Sequence, residues 1–296
     1  MPVPTNLPHK HHDEINDQGF TVVRNFLAPQ DIERYTKASE DLVEYARAGK
    51  WPHVRTRGKQ FPLWPKNFSP DIWGVTGLLH PDLGELSYPF HDLYANDKIL
   101  AIVSDILQIG KDEISMELLN MLINPLTDFE LDWHRDTIKP EVTPEQEDKE
   151  LLENPFAGAQ FNLALTNDDC LIVVPGSHKR VRTQEEREKT VDESKRKEFI
   201  TDQINVELKP GDVVFYNNNI LHRASYSSKN KRLTLHGSYG NVKYGKARAK
   251  GVLQHGVAEW LPRLQPKNED LEMLKLKLVD LAKQFDGVNL GFALDG

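Results

Sequence analysis

The stretch GDVVFYNNNILHRASYSSKNKRLTLHGSY, Gly211 to Tyr239, decides the reading of this chain. Two β-branched and aromatic runs, Asp212 to Tyr216 and Arg232 to Tyr239, are separated by turn-forming residues. His222 follows the first run, and Arg232 and Thr234 lie ten and twelve residues beyond it, on one face of the second. Upstream, similar short runs occupy Glu117 to Leu126, Gln160 to Leu165, Leu171 to Val174 and Asn205 to Leu208. Strands at this spacing predict a sandwich or barrel and not a parallel sheet.

Around this β region the periodicity changes. Gly19 to Leu27 reads as a strand, and Pro29 opens a helix in which Ile32, Tyr35, Leu42, Tyr45 and Ala46 recur at helical spacing until Gly49. Asn96 caps a second helix with Ile99, Ile102, Val103, Ile106 and Leu107 on one stripe, ending at Gly110. Asn268 caps a third, with Leu271, Leu274, Leu278 and Leu281 on the face that packs outside the core. The expected organisation is one domain over 1–296: an N-terminal strand and helices to 116, a β core over 117–240, and a helical extension over 241–296. The polar lead-in before Gly19 reads as frayed, and Lys139 to Pro155 and Lys179 to Phe199 read as charged surface insertions.

Composition narrows the function. With 296 residues, 39% hydrophobic and 28% charged, the chain can bury a sizeable core and is not a disordered polymer. A net charge of −8 opposes binding to nucleic acid or anionic membrane. The single cysteine, Cys170, forbids an internal disulfide and suits a reducing compartment, so a cytoplasmic location is expected. No run approaches the roughly 18 apolar residues of a membrane span, and MPVPTNLPHKHHDE has no signal-peptide character.

His-x-Asp, which aims two metal ligands to one side of an extended segment, occurs three times. His11/Asp13 falls in the polar lead-in and His80/Asp82 flanks Pro81 in a loop, so both read as chance pairs. His134/Asp136, in LDWHRDT, sits just beyond a predicted core strand. Joined by His222, they form the two-histidine, one-carboxylate set expected of a non-haem Fe(II) oxygenase with three open positions. A 2-oxo acid chelating that iron needs a planar bidentate cation for its far carboxylate; Arg232 offers that fork and Thr234 a hydroxyl.

At these residues the chain resembles the phytanoyl-CoA dioxygenase family of Fe(II)/2-oxoglutarate oxygenases. The matching pieces are GFTVVRNFLAPQDIE, the WHRD block, CLIVVPGSHK at Cys170 to Lys179, and GDVVFYNNNILHRAS to RLTLHGSY, in family order over Gly19 to Tyr239. The resemblance implies a mainly β protein with flanking helices built on a double-stranded β-helix, or cupin-like jelly roll. It places iron on His134, Asp136 and His222, 2-oxoglutarate on Arg232, and Asn162 of AQFNLAL in the co-substrate pocket; alternation adds Gln160 to that face. Two departures stand out: NDDC replaces the family's Asn-Gly before the PGSH block, and Asn120 and Asn124 stand where some members have a lysine directed to the co-substrate.

Other residues have plainer readings. His178 follows the turn at Pro175 and Gly176 and reads as structural; His236 reads equally as a pocket or a barrel-filling residue; Cys170 reads as a small buried hydrophobe. His53, Arg55, Arg57 and Lys59 with Trp51, Phe61 and Trp64 read either as a lid over an anionic substrate or as a solvated loop, the second being favoured. The expected activity is hydroxylation of a C–H bond in a small, mostly apolar metabolite using Fe(II), 2-oxoglutarate and dioxygen, with release of succinate and CO2. Asp136 argues against halogenation, since its carboxylate fills the position a halide needs. Desaturation, epimerisation, ring expansion or endoperoxidation at the same site remain open, as does a metal-binding module without turnover or a cupin-type isomerase or sugar-binding protein. The expected partner is a small-molecule substrate, with neither nucleic acid nor membrane.

Overall fold

The quoted stretch folds as three strands, because LHRASY, which carries no clear alternation, is itself extended. The computed structural model describes residues 9–62, 67–153, 155–286 and 288. Its strands are β1 (Phe20–Val23), β2 (Val54–Thr56), β3 (Ile72–Val75), β4 (Ile114–Ile123), β5 (Phe129–Glu130), β6 (Gly158–Ala164), β7 (Leu171–Val174), β8 (Ile204–Asn205), β9 (Val213–Tyr216), β10 (Leu221–Tyr226) and β11 (Leu233–Asn241). They form a seven-stranded sheet, β1-β9-β6-β11-β4-β3-β2, and a four-stranded sheet, β5-β10-β7-β8. All pairings are antiparallel. This is the predicted mainly β jelly-roll architecture with flanking helices.

The large sheet has two unlike faces. Met121, Phe161, Leu163, Val213, Phe215, Leu235 and Tyr239 join the main hydrophobic core with residues of the helices Pro29–Arg47, Asp97–Leu107 and Glu269–Ala282. The main apolar cluster therefore lies between sheet and helices, each fully buried aliphatic or aromatic side chain contributing roughly 1.5–3 kcal/mol. Asn96 and Asn268 cap their helices as the sequence predicts, accepting hydrogen bonds from Lys98 N and Leu271 N. Alternation then puts Thr234, His236, Ser238, Gln160, Asn162 and Asn120 on the opposite face, toward the smaller sheet.

Several expectations require correction. The lead-in is not frayed from residue 9 onward: Lys10–Gln18 is a helix, with His11 N bonded to Asp105 Oδ2 at 3.0 Å and His12 Nδ1 2.8 Å from the Ile106 carbonyl. β4 starts at Ile114 and stops before Pro125, which has no N–H for the ladder. The segment before residue 116 carries three strands and not one: β1 and β2 form the two edges of the large sheet, and β3 lies between β2 and β4. The charged insertions carry the helices Pro144–Glu153 and Gln184–Val191, and they bury Glu147, Arg182, Glu186 and Thr190. Thr183 and Glu186 close a reciprocal capping box there. Among the described residues no helix is long and apolar enough to cross a membrane.

Candidate metal centre

The segment after β5 runs antiparallel to β10, with Leu131 N on Ala224 O at 2.8 Å. His134 and His222 then exchange both backbone hydrogen bonds, at 3.0 and 3.1 Å. A hydrogen-bonded antiparallel pair sends both side chains to one face, and the imidazole centroids lie 4.2 Å apart. Asp136 N bonds Asn218 O at 3.0 Å, returning the carboxylate to that face. Its Oδ1 is 3.5 Å from His134 Nε2 and 3.6 Å from His222 Nε2. The three residues form a group whose ligand atoms lie within 4.8 Å of one another.

The tautomers are set by the backbone. His134 Nδ1 lies 2.7 Å from the Asp132 carbonyl and His222 Nδ1 2.8 Å from the Ile220 carbonyl. Each donates its Nδ1 proton, leaving the Nε2 lone pair directed at the shared centre. Burial, reinforced by the neighbouring His134, lowers the His222 pKa to about 4 and keeps the ring neutral. Burial opposes ionisation of Asp136, yet His222, His134 and the Gln160 amide hold its carboxyl well below the usual range. Gln160 Nε2 donates to Asp136 Oδ2 at 3.1 Å, so this residue, expected on the co-substrate, sits on a triad member.

Arg135, between the two ligands, points the other way. Its guanidinium donates to the carbonyls of Ser177 at 2.9 Å, Arg180 at 3.0 Å and Asn219, and its Nε to Glu147 at 3.1 Å. Glu147, fully buried, also takes Arg182 at 2.8 Å and Arg187 at 2.6 Å. The insertion thus bolts the ligand loop to the PGSH turn from behind. From the front, Gln60 embraces Asp132: Oε1 accepts from its N–H at 2.7 Å and Nε2 donates to its carbonyl at 3.2 Å. Phe61 meets His134 edge-on at 5.4 Å. The loop read as solvated is therefore in part a wall of the site; Trp51 is buried, Arg57 pairs with Asp71 at 2.8 Å, and Trp64 lies outside the described residues.

Arg232 is buried at 3% exposure, above the Tyr226 ring at 4.7 Å. Its Nε and Nη2 lie 3.0 and 2.9 Å from Asp168 Oδ2, and Thr234 Oγ1 donates to the same oxygen at 2.5 Å. Nη1 is buried and unpartnered. The NDDC departure, then, is where a carboxylate reaches the arginine expected to hold the co-substrate. Asn162 Oδ1 is 2.9 Å from His236 Nδ1, its cross-strand partner. Burial first, then Arg55, lowers the His236 pKa to about 3. His178 lies outside the triad, buried against Gly19. Cys170 is half-buried, and burial pushes its thiol up to about 12.

Gln60, Asp168, Glu147 and the inward turn of Arg55 escape sequence reading, since each acts on a partner far along the chain. Only Arg135 left a local signal: alternation between two ligands must aim it at the opposite face.

Two antiparallel sheets enclosing two imidazoles and a carboxylate define a double-stranded β-helix protein with a candidate facial-triad metal centre. The chain belongs to the phytanoyl-CoA dioxygenase (PhyH) family, whose model matches residues 15–233. It is accordingly an enzyme of the non-haem iron, 2-oxoglutarate-dependent oxygenase type. Its fold is similar to that of EctD from S. alaskensis, crystallised with 2-oxoglutarate and 5-hydroxyectoine (TM-score 0.58, 15% identity, 82% of this chain and 80% of that one). It is also similar to AviO1 from Streptomyces viridochromogenes Tue57 (TM-score 0.55, 18% identity, 78% and 93%). A third is SnoN, the non-heme alpha ketoglutarate dependent epimerase from nogalamycin biosynthesis (TM-score 0.52, 14% identity, 79% and 80%). At these identities the likeness concerns the fold. No curated protein matches the sequence.

Proposed function

We propose that the protein hydroxylates a C–H bond of a small, mostly apolar organic molecule, with Fe(II) on His134, Asp136 and His222 and 2-oxoglutarate directed by Arg232 and Thr234. The observation that carries this is the convergence of two Nε2 atoms and one Oδ1, both histidines being locked in the metal-binding tautomer by backbone carbonyls. That donor set suits ferrous iron, and a polar face over an apolar, helix-backed sheet suits a co-substrate anion. Bound iron with 2-oxoglutarate and dioxygen supplies the oxidative decarboxylation, to succinate and CO2, that powers C–H oxidation.

The residues of this chain hold and shield. Gln160 pins Asp136 Oδ2, leaving Oδ1 for the metal. Gln60 and Arg135 fix the ligand segment from opposite sides. Phe61 covers one edge of His134 and limits water there. Asn162 and His236 satisfy each other in the wall.

The experiment is a metabolite-extract screen with Fe(II)-loaded protein. Succinate release stimulated by one compound, with that compound gaining the mass of one oxygen atom, supports hydroxylation. Loss of two hydrogens, or an unchanged mass, would move the assignment to desaturation or epimerisation at the same site. No stimulation by any extract would favour a module without turnover. The cell compartment expected from the single cysteine is the cytoplasm.

A further inference from the structure

A second arginine enters the space between the sheets. Arg55 of β2 pairs with Gly74 of β3, which pairs with Leu122 of β4, which pairs with Thr234 of β11. One row thus carries Arg55 and Thr234 on the same face. Gly74 makes this possible: a Cβ there would sit 3.0 Å from Arg55 Cδ and 3.3 Å from Cγ. With no side chain in the way, the Arg55 stem lies across β3 and its guanidinium stacks 5.1 Å from the Trp73 ring. Its charge acts on Tyr226, Tyr216 and Asp136, and it bears on the buried His236.

The two arginines differ in one respect. Arg232 has Asp168 at 2.9 Å. Arg55 forms no ion pair among the described residues, and its Nε is buried without a hydrogen-bond partner. Burial lowers the Arg55 pKa, whereas Asp168 more than offsets burial at Arg232 and raises it. Arg55 is half-buried, so its guanidinium stays open to a ligand; a charge drawn partly out of water without an ion-pair partner is costly, and a bound anion relieves that cost. Ferrous iron with Asp136 carries one net positive charge and 2-oxoglutarate carries two negative ones, so a second cation is needed. Arg232 cannot serve alone, because Asp168 already cancels it.

We propose that Arg55 supplies this counter-charge for the 2-oxo acid dianion, while Asp168 makes the Arg232–Asp168 pair neutral as a whole and leaves Arg232 a pre-oriented hydrogen-bond donor. The inference rests on the Fe(II)/2-oxoglutarate reading above.

The test is anaerobic calorimetric titration of 2-oxoglutarate into Fe(II)-loaded protein, with melting temperature recorded for every variant. Arg55→Gln weakens binding about tenfold or more, and Arg55→Lys stays within about threefold of the unaltered protein. Asp168→Asn tightens binding, and Arg55→Gln combined with Asp168→Asn binds more tightly than Arg55→Gln alone. Unchanged affinity in folded Arg55→Gln would overturn the proposal and leave Arg55 to an acidic group of the substrate. If that variant does not fold, failure of Asp168→Asn to tighten binding would overturn it equally. An unaltered protein that binds iron but no 2-oxoglutarate would instead overturn the functional reading itself.

Discussion

His134 and His222 exchange both of their backbone hydrogen bonds, and their imidazoles stand side by side at 4.2 Å between centroids. The ladder itself fixes the metal-facing geometry. A one-residue slip of either segment would turn its ring to the other face and separate the two imidazoles.

Asp136 completes that geometry without belonging to the ladder's core. Asp136→Ala is expected to abolish turnover, lowering iron affinity at least about a hundredfold, while the melting temperature of the iron-free protein changes little. Competition titration with a metal indicator, alongside thermal denaturation, checks both halves.

Gln60 tests whether the front loop belongs to the site. Gln60→Ala frees the Asp132 carbonyl that orients His134 and should weaken iron binding about tenfold, leaving the fold intact. Iron affinity equal to that of the unaltered protein would remove the loop from the centre.

Glu147 is the one carboxylate that Arg135, Arg182 and Arg187 share, and it is fully buried. Glu147→Ala leaves these guanidinium groups without their shared carboxylate and should cost about 3–5 kcal/mol of stability, read from urea denaturation. Replacing a surface glutamate such as Glu188, exposed at 52% of its side chain, is the control and should cost under about 1 kcal/mol.

Arg232→Ala removes the partner of Asp168, whose carboxyl Arg232 holds below the usual range against burial. The expected result is a higher 2-oxoglutarate requirement together with a less stable protein, measured by titration and melting. Equal 2-oxoglutarate affinity would take Arg232 out of the co-substrate site.

Stability should fall on acidification. Burial lowers the pKa values of His80, His91 and His255 to about 4. Both ring nitrogens of His91 are buried without a partner. An unfolded histidine titrates near 6.5, so between about 6.5 and 4 the unfolded chain binds more protons than the folded one. Stability is then full above about 6.5 and declines toward 4, each such histidine contributing a slope of up to about 1.4 kcal/mol per pH unit. Urea midpoints measured across this window check it, and His91→Leu should flatten the decline.

Much of this was legible where the signal is local. The triad letters, the caps at Asn96 and Asn268 and the apolar stripes of the helices each need only a few neighbouring residues. The helix Lys10–Gln18 escaped because only Ile15 of KHHDEINDQ is buried, so it lacks an apolar stripe. β10 escaped because its residues are buried on both faces and do not alternate. The charged insertions looked solvated because composition does not reveal that Glu147 meets three arginines in the interior. Asp168 escaped because its partner Arg232 lies on another strand, 64 residues along the chain.

The position of Arg135 has a consequence for how this catalyst can be retuned. The clamp that aligns its ligands is reached from the outer helix Pro144–Glu153 and not from the reaction chamber. Changes on that remote helix can shift metal affinity and alignment while every atom that meets the substrate stays the same, giving evolution or a designer a dial outside the room where the chemistry happens.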